Sequence, residues 1–112
     1  MNVRRWENIA SSRDKLKYST QITDNGKIVA HLEKTSDMQN ILSYELNIEP
    51  SVDIEQVMNF VISLIASEFV KYTPIHKNLP KKLKFVWNTS YPEKSDVKTA
   101  FQRYGIDFCQ TG

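Results

Sequence analysis

Cysteine, glycine and proline are all scarce in this chain, which has one, three and four of them among 112 residues. A single thiol cannot close an internal disulfide, so packing alone must hold the fold, and the composition suits a reducing, cytoplasmic setting. With so little Gly and Pro there is no low-complexity tract and no collagen-like repeat. Long apolar runs are missing too. The most apolar window, Val57 to Val70, is interrupted by Asn59, Ser63, Ser67 and Glu68 and is too short to span a bilayer, so no membrane contact is expected. The opening MNVRRWENIASS has arginines with no apolar stretch behind them and does not read as a secretory leader. What remains is an ordinary globular composition, 40% hydrophobic and 25% charged, at the length of one domain.

The net charge of +2 conceals an uneven layout. Residues 1–17 carry five basic and two acidic side chains, residues 18–70 two and eight, and residues 71–98 seven and two. A basic N-terminal segment and a basic C-terminal half therefore flank an acidic middle, and a polyanion would meet locally more positive charge than the mean suggests.

Alternation organises the first half. Leu16, Tyr18, Thr20 and Ile22 fall on one side of a strand, with Lys17, Ser19, Gln21 and Thr23 on the other. Asn25-Gly26 supplies the positive φ angles of a two-residue hairpin loop, after which Ile28, Ala30 and Leu32 oppose Val29, His31 and Glu33. In ILSYELNIE, Leu42, Tyr44, Leu46 and Ile48 oppose Ser43, Glu45, Asn47 and Glu49. Pro50 stops the ladder, and Asp53 with Gln56 caps a helix expected to run to about Tyr72. The polar residues of that helix (Glu55, Gln56, Asn59, Ser63 and Ser67) form a narrow stripe, so its wide apolar arc needs cover beyond the sheet. A second helix with the N-terminal segment, or a partner chain, would supply it.

LKFVWNT reads as a fourth strand with Leu83, Phe85 and Trp87 inward. Ser90 and Glu93 form a capping box for a helix with Pro92 in its first turn, and Val97, Ala100, Phe101 and Tyr104 follow at i, i+3, i+4, i+7. Gly105 is its left-handed stop and IDFC a short last strand. The expected fold is α+β: a two-layer, five-stranded mixed sheet in order (α)βββαβαβ, with both main helices on one face and an open polar face. Residues 1–14 are expected to be a basic helix or arm carrying Trp6 and Ile9, and residues 15–112 a single domain.

Several groups could carry chemistry. His31, Glu33, Glu45 and Asn47 project from neighbouring strands onto the open face, where two carboxylates, an imidazole and an amide suit a hard divalent cation. The order αβββαβ over roughly residues 5–89 resembles the core of the PD-(D/E)xK nuclease superfamily. That resemblance makes Glu45-Leu46-Asn47 the family's triplet, with asparagine in place of its lysine, and Glu33 or Asp37 the upstream acid. It implies metal-dependent phosphodiester hydrolysis. The βββαβαβ order is also similar to ribonuclease-H-like domains and to accessory domains of conjugative relaxases. Asn88-Thr89 stands where the ribonuclease-H fold would place a metal-binding acid.

Lys77, Lys81, Lys82 and Lys84, with Arg4, Arg5 and Arg13, could neutralise phosphates. The strand aromatics point to the core, so nucleic acid would be held by its backbone rather than by its bases. Ser90, at the carboxyl end of a parallel strand where a helix starts, is a candidate anion contact. Cys109, far in sequence from His31 and His76, reads as a small buried hydrophobe. No cofactor and no resident metal are expected. The leading functional expectation is a non-catalytic interaction module that docks a protein partner or a second copy through the apolar helix. The alternatives are a phosphate-backbone binding accessory domain, of the kind that serves mobile-element DNA processing, and a nuclease built on His31, Glu33, Glu45 and Asn47. A small immunity protein is a variant of the first.

Overall fold

The computed structural model describes residues 1–37, 41–72, 82–106 and 108–109. Its centre is the Asn25-Gly26 hairpin, which joins β3 (Lys15–Asp24) to β4 (Lys27–Asp37). Both loop residues have positive φ, 51° and 79°, and this backbone twist matches the right-handed twist of the flanking strands. β5 (Ile41–Ile48) pairs antiparallel with β4, β6 (Lys82–Trp87) parallel with β5, and β7 (Phe108–Cys109) parallel with β6. Helix α1 (Ile54–Tyr72) connects β5 to β6, and α2 (Lys94–Gln102) connects β6 to β7. The fold is α+β, a mixed sheet with two helices.

The strand phases agree with the alternation. Ile22, Ala30, Leu32, Leu42, Tyr44, Leu46, Leu83 and Phe85 are buried in one core with Val61 and Ile65 of α1 and Val97 and Phe101 of α2. Both helices therefore cover the same sheet face, while Glu45, Asn47 and Val86 are exposed on the other. Leu16, Thr23 and Val29 depart from the simple alternation: Leu16, in phase with the core residues of β3, is 41% exposed, and Thr23 and Val29, in the outward phase, are buried. A bulge after Ile22 pairs Thr23 with Ile28 and leaves Val29 as the extra residue, so Val29 is buried instead of facing water with His31.

The N-terminal segment is not a helix. It forms β1 (Asn2–Val3) and β2 (Glu7–Ser11), both antiparallel to the outer edge of β3. A helix carrying Trp6 and Ile9 is the expectation from the sequence, but β3 offers a ten-residue edge with unpaired N–H and C=O groups, and the chain satisfies it. Arg4 N–H donates to Gln21 O at 3.0 Å across the break between β1 and β2. The five expected strands are thus joined by two short ones at one border.

Helix α1 starts as its cap residue dictates: Gln56 N–H donates to Asp53 Oδ1 at 3.1 Å. Replacing Asp53 with alanine is expected to cost about 1 kcal/mol, read as a lower denaturant midpoint with an unchanged slope. Its apolar arc is covered by its own chain. Val57, Met58, Val61, Ile62, Ile65, Ala66 and Phe69 are buried, Phe60 and Leu64 pack partly buried against the core, and the polar stripe of Glu55, Gln56, Asn59, Ser63 and Ser67 faces water. No large hydrophobic of α1 is exposed among the described residues.

Helix α2 starts later than the capping box implies. Glu93 is its N-cap, with no side-chain cap hydrogen bond, and Pro92 lies outside the helix after a cis Tyr91–Pro92 peptide. At its end Gly105 takes φ 73°, and Ile106 N–H reaches back to Phe101 O at 3.1 Å. No described helix is long and apolar enough to cross a membrane.

Candidate functional site

The open sheet face brings together some of the expected residues but not as a metal centre. Glu33 and Glu45 are direct cross-strand partners, as are His31 and Asn47 one step along. Like charges that face each other across a ladder repel, and lysines on the neighbouring strands offset this. Lys17 Nζ lies 3.3 Å from Glu33 Oε2, and Lys84, on β6, lines the same depression of about 180 Å³ with Thr35, Ser43 and Glu45. His31 is turned away from both acids, with Nε2 3.0 Å from Glu49 Oε1. Among the described residues no three His, Cys, Asp or Glu side chains converge to hold a metal ion. Of Asp37, the other upstream acid, only the backbone is described. The face is a mixed-charge surface in which lysines and hydroxyls flank the paired carboxylates.

The basic residues are distributed rather than clustered. Arg4, Arg5 and Arg13 are exposed along the β1–β2 border. Lys84 is on the open face, three strands away from β1 and β2, and next to Glu45. Lys77 and Lys81 lie outside the described residues, as do His76 and the side chains of Lys82 and Cys109. Ser90 is exposed in a bend four positions before α2 begins, so it does not occupy the helix N-terminus where an anion would bind. Asn88, in the position of the ribonuclease-H acid, extends the sheet: its Oδ1 accepts from Ile48 N–H at 2.9 Å and its Nδ2 donates to Ile48 O at 3.2 Å.

Two features escaped the alternation argument. The first is a buried ionic cluster under the N-terminal strand. Lys34 follows Leu32 in phase and so points inward, where Nζ meets Glu68 Oε2 of α1 at 2.9 Å. Tyr44 Oη donates to Glu68 Oε1 at 3.1 Å. The Trp6 ring covers the ammonium at 4.2 Å and that of Tyr18 lies at 5.6 Å, both in cation–π range. Continuing the strand phase two residues past Leu32 is the signal that would have found it.

The second is a groove between the helices. α1 and α2 lie side by side and run in the same direction, Glu55 near Asp96 at one end and Ser63 near Tyr104 at the other. Two depressions of about 190 and 460 Å³ adjoin there, sharing Asn59, Ile62 and Ala100. Met58, Ile62 and Val97 form an apolar floor, Tyr91 and Pro92 a wall at the acidic end, and Arg103 and Tyr104 the opposite end. Tyr91 and Tyr104 are 52% and 49% exposed, with Ile9 of β2 at 49% the most exposed large hydrophobics among the described residues. The i+7 spacing had assigned Tyr104 to the core. The helix ends at Gln102, so the period does not reach it, and its hydroxyl lies 3.5 Å from Ser63 Oγ. Comparison with protein-family models, curated proteins and solved structures gives no match to this chain.

Proposed function

We propose that the protein is a small non-catalytic interaction module that docks a protein partner or a second copy on its helix layer. The observation that carries this reading is the α1–α2 groove, an apolar floor held between two half-exposed tyrosines, where the other described hydrophobics of the two helices are covered. Tyrosine rings at the margin of a concave apolar surface give contact area at little entropic cost, and each hydroxyl keeps a polar handle. The apolar arc that marked α1 as a docking element is covered by its own chain, and Met58 and Ile62 reach the groove only as its buried floor.

The test is a selection from a displayed random-peptide library, run in parallel on the wild-type domain and on the Tyr91→Ala/Tyr104→Ala variant. Both tyrosines are exposed, so the variant keeps its core. The expected result is a set of peptides retained at least about tenfold better by the wild type, a loss in keeping with removal of two aromatic anchors. Failure to enrich any peptide, or equal retention by the variant, would overturn the reading.

A further inference from the structure

The groove is polar in the literal sense: its charge changes sign along its length. Glu55 and Asp96 line one end and Arg103 the other. From Glu55 to Ser63 along α1 the groove runs for about 12 Å, from the rise per residue of a helix. Rotating such a surface by 180° about an axis through its middle superposes each end on its opposite. We propose, resting on the docking reading above, that the occupant of the groove is a second copy of this chain. The two helix layers face each other antiparallel across a two-fold axis near Asn59 and Ala100.

In that arrangement Arg103 of each copy meets Glu55 and Asp96 of the other, so the same ion contacts form twice. Tyr104 of one copy falls toward the depression beside Tyr91 of the other. The residues near the axis that reach the surface, exposed Asn59 and half-buried Ala100, are small or polar, which lets the helix layers approach without a clash of large side chains. A parallel approach would instead set acid against acid and arginine against arginine. The sign change therefore selects one orientation, which is how charge acts at interfaces: it chooses register and partner more than it adds affinity. Of the large hydrophobics exposed among the described residues, two tyrosines belong to this groove, well short of an obligate interface. The dimer is reversible, and its population rises with concentration.

Light scattering across a micromolar to near-millimolar series is expected to give a mass that climbs from 13.0 kDa toward twice that value. Two variants test the geometry, Arg103→Glu and Glu55→Lys/Asp96→Lys, and all three positions are exposed. Each alone places like charges together at both contacts and is expected to weaken dimerisation at least about tenfold. An equimolar mixture of the two variants restores opposite charges at both contacts and is expected to dimerise as the wild type does. An unchanged circular-dichroism spectrum and a cooperative thermal transition show that each variant is folded, the lysine variant with a somewhat lower midpoint because Glu55 and Asp96 lie in the first turns of their helices. A wild type monomeric at every concentration would overturn the proposal, and so would a dimer indifferent to either variant or an unrestored mixture. If the peptide selection still yields Tyr91- and Tyr104-dependent binders in those cases, the groove docks another protein and only the self-association is lost.

Discussion

Replacing Lys34 with alanine is expected to remove about 3–5 kcal/mol of folding stability, the usual cost of leaving one partner of a buried ion pair alone. The side chains of Lys34 and Glu68 are only 9% and 15% exposed. Without the ammonium the Glu68 carboxylate still accepts from the Tyr44 hydroxyl, but it carries an uncompensated charge in surroundings from which water is largely excluded. Equilibrium urea denaturation measures the loss. Changing both partners to apolar side chains, Lys34→Met with Glu68→Leu, is expected to recover most of it, because the penalty arises from the uncompensated charge and not from the absence of the pair. A loss below about 1 kcal/mol in Lys34→Ala, within the range of surface pairs, would show that the cluster is solvated in solution.

The same substitution reaches the N-terminus. Every residue of β2 is exposed, and Trp6, which lies over Lys34, is the aromatic of this segment that packs against the core. Removing the ammonium takes away the cation under that ring. Amide exchange at β1 and β2 is therefore expected to quicken more than exchange in β4 and β5, since local opening follows the number of buried contacts that hold a segment.

Phe101→Ala is expected to be comparably costly, about 3–5 kcal/mol. Phe101 is fully buried, and its ring meets Phe85 edge to face at a centroid separation of 6.1 Å. α2 has nine residues and only Val97 and Phe101 fully inside, so one truncation removes half of its anchorage. Thermal unfolding reads the stability. Weaker peptide retention at temperatures where the variant remains folded reads the groove, whose second wall is α2. Phe101→Leu leaves a smaller void and is expected to lose less on both measures.

Much of the framework was legible before any coordinates. Asn25-Gly26 has few conformational alternatives, and each strand after it carries a period of two that decides which side chains face the helices. Asp53 caps α1 and Gly105 ends the turn after α2 for equally local reasons. The N-terminal strands were illegible because residues 2–11 have no decisive period of their own. Their conformation comes from the free edge of β3, which is a tertiary fact. The same limit applies to chemistry. Alternation placed His31, Glu33, Glu45 and Asn47 on one face, yet said nothing of the bond from His31 to Glu49 or of the lysines that flank the acids.

By itself, then, the sequence determined the order of elements from β3 onward, most of the inward and outward positions of those strands, and the position of the polar stripe on α1. Each of these follows from contacts within a few residues, where steric preference and periodicity are strong. The tertiary structure alone decided that Lys34 pairs with Glu68, that Trp6 covers them, and that Glu55, Asp96 and Arg103 line one groove in order of charge. Those neighbours lie far apart along the chain, and no local pattern encodes a distance that exists only once helices and sheet have packed.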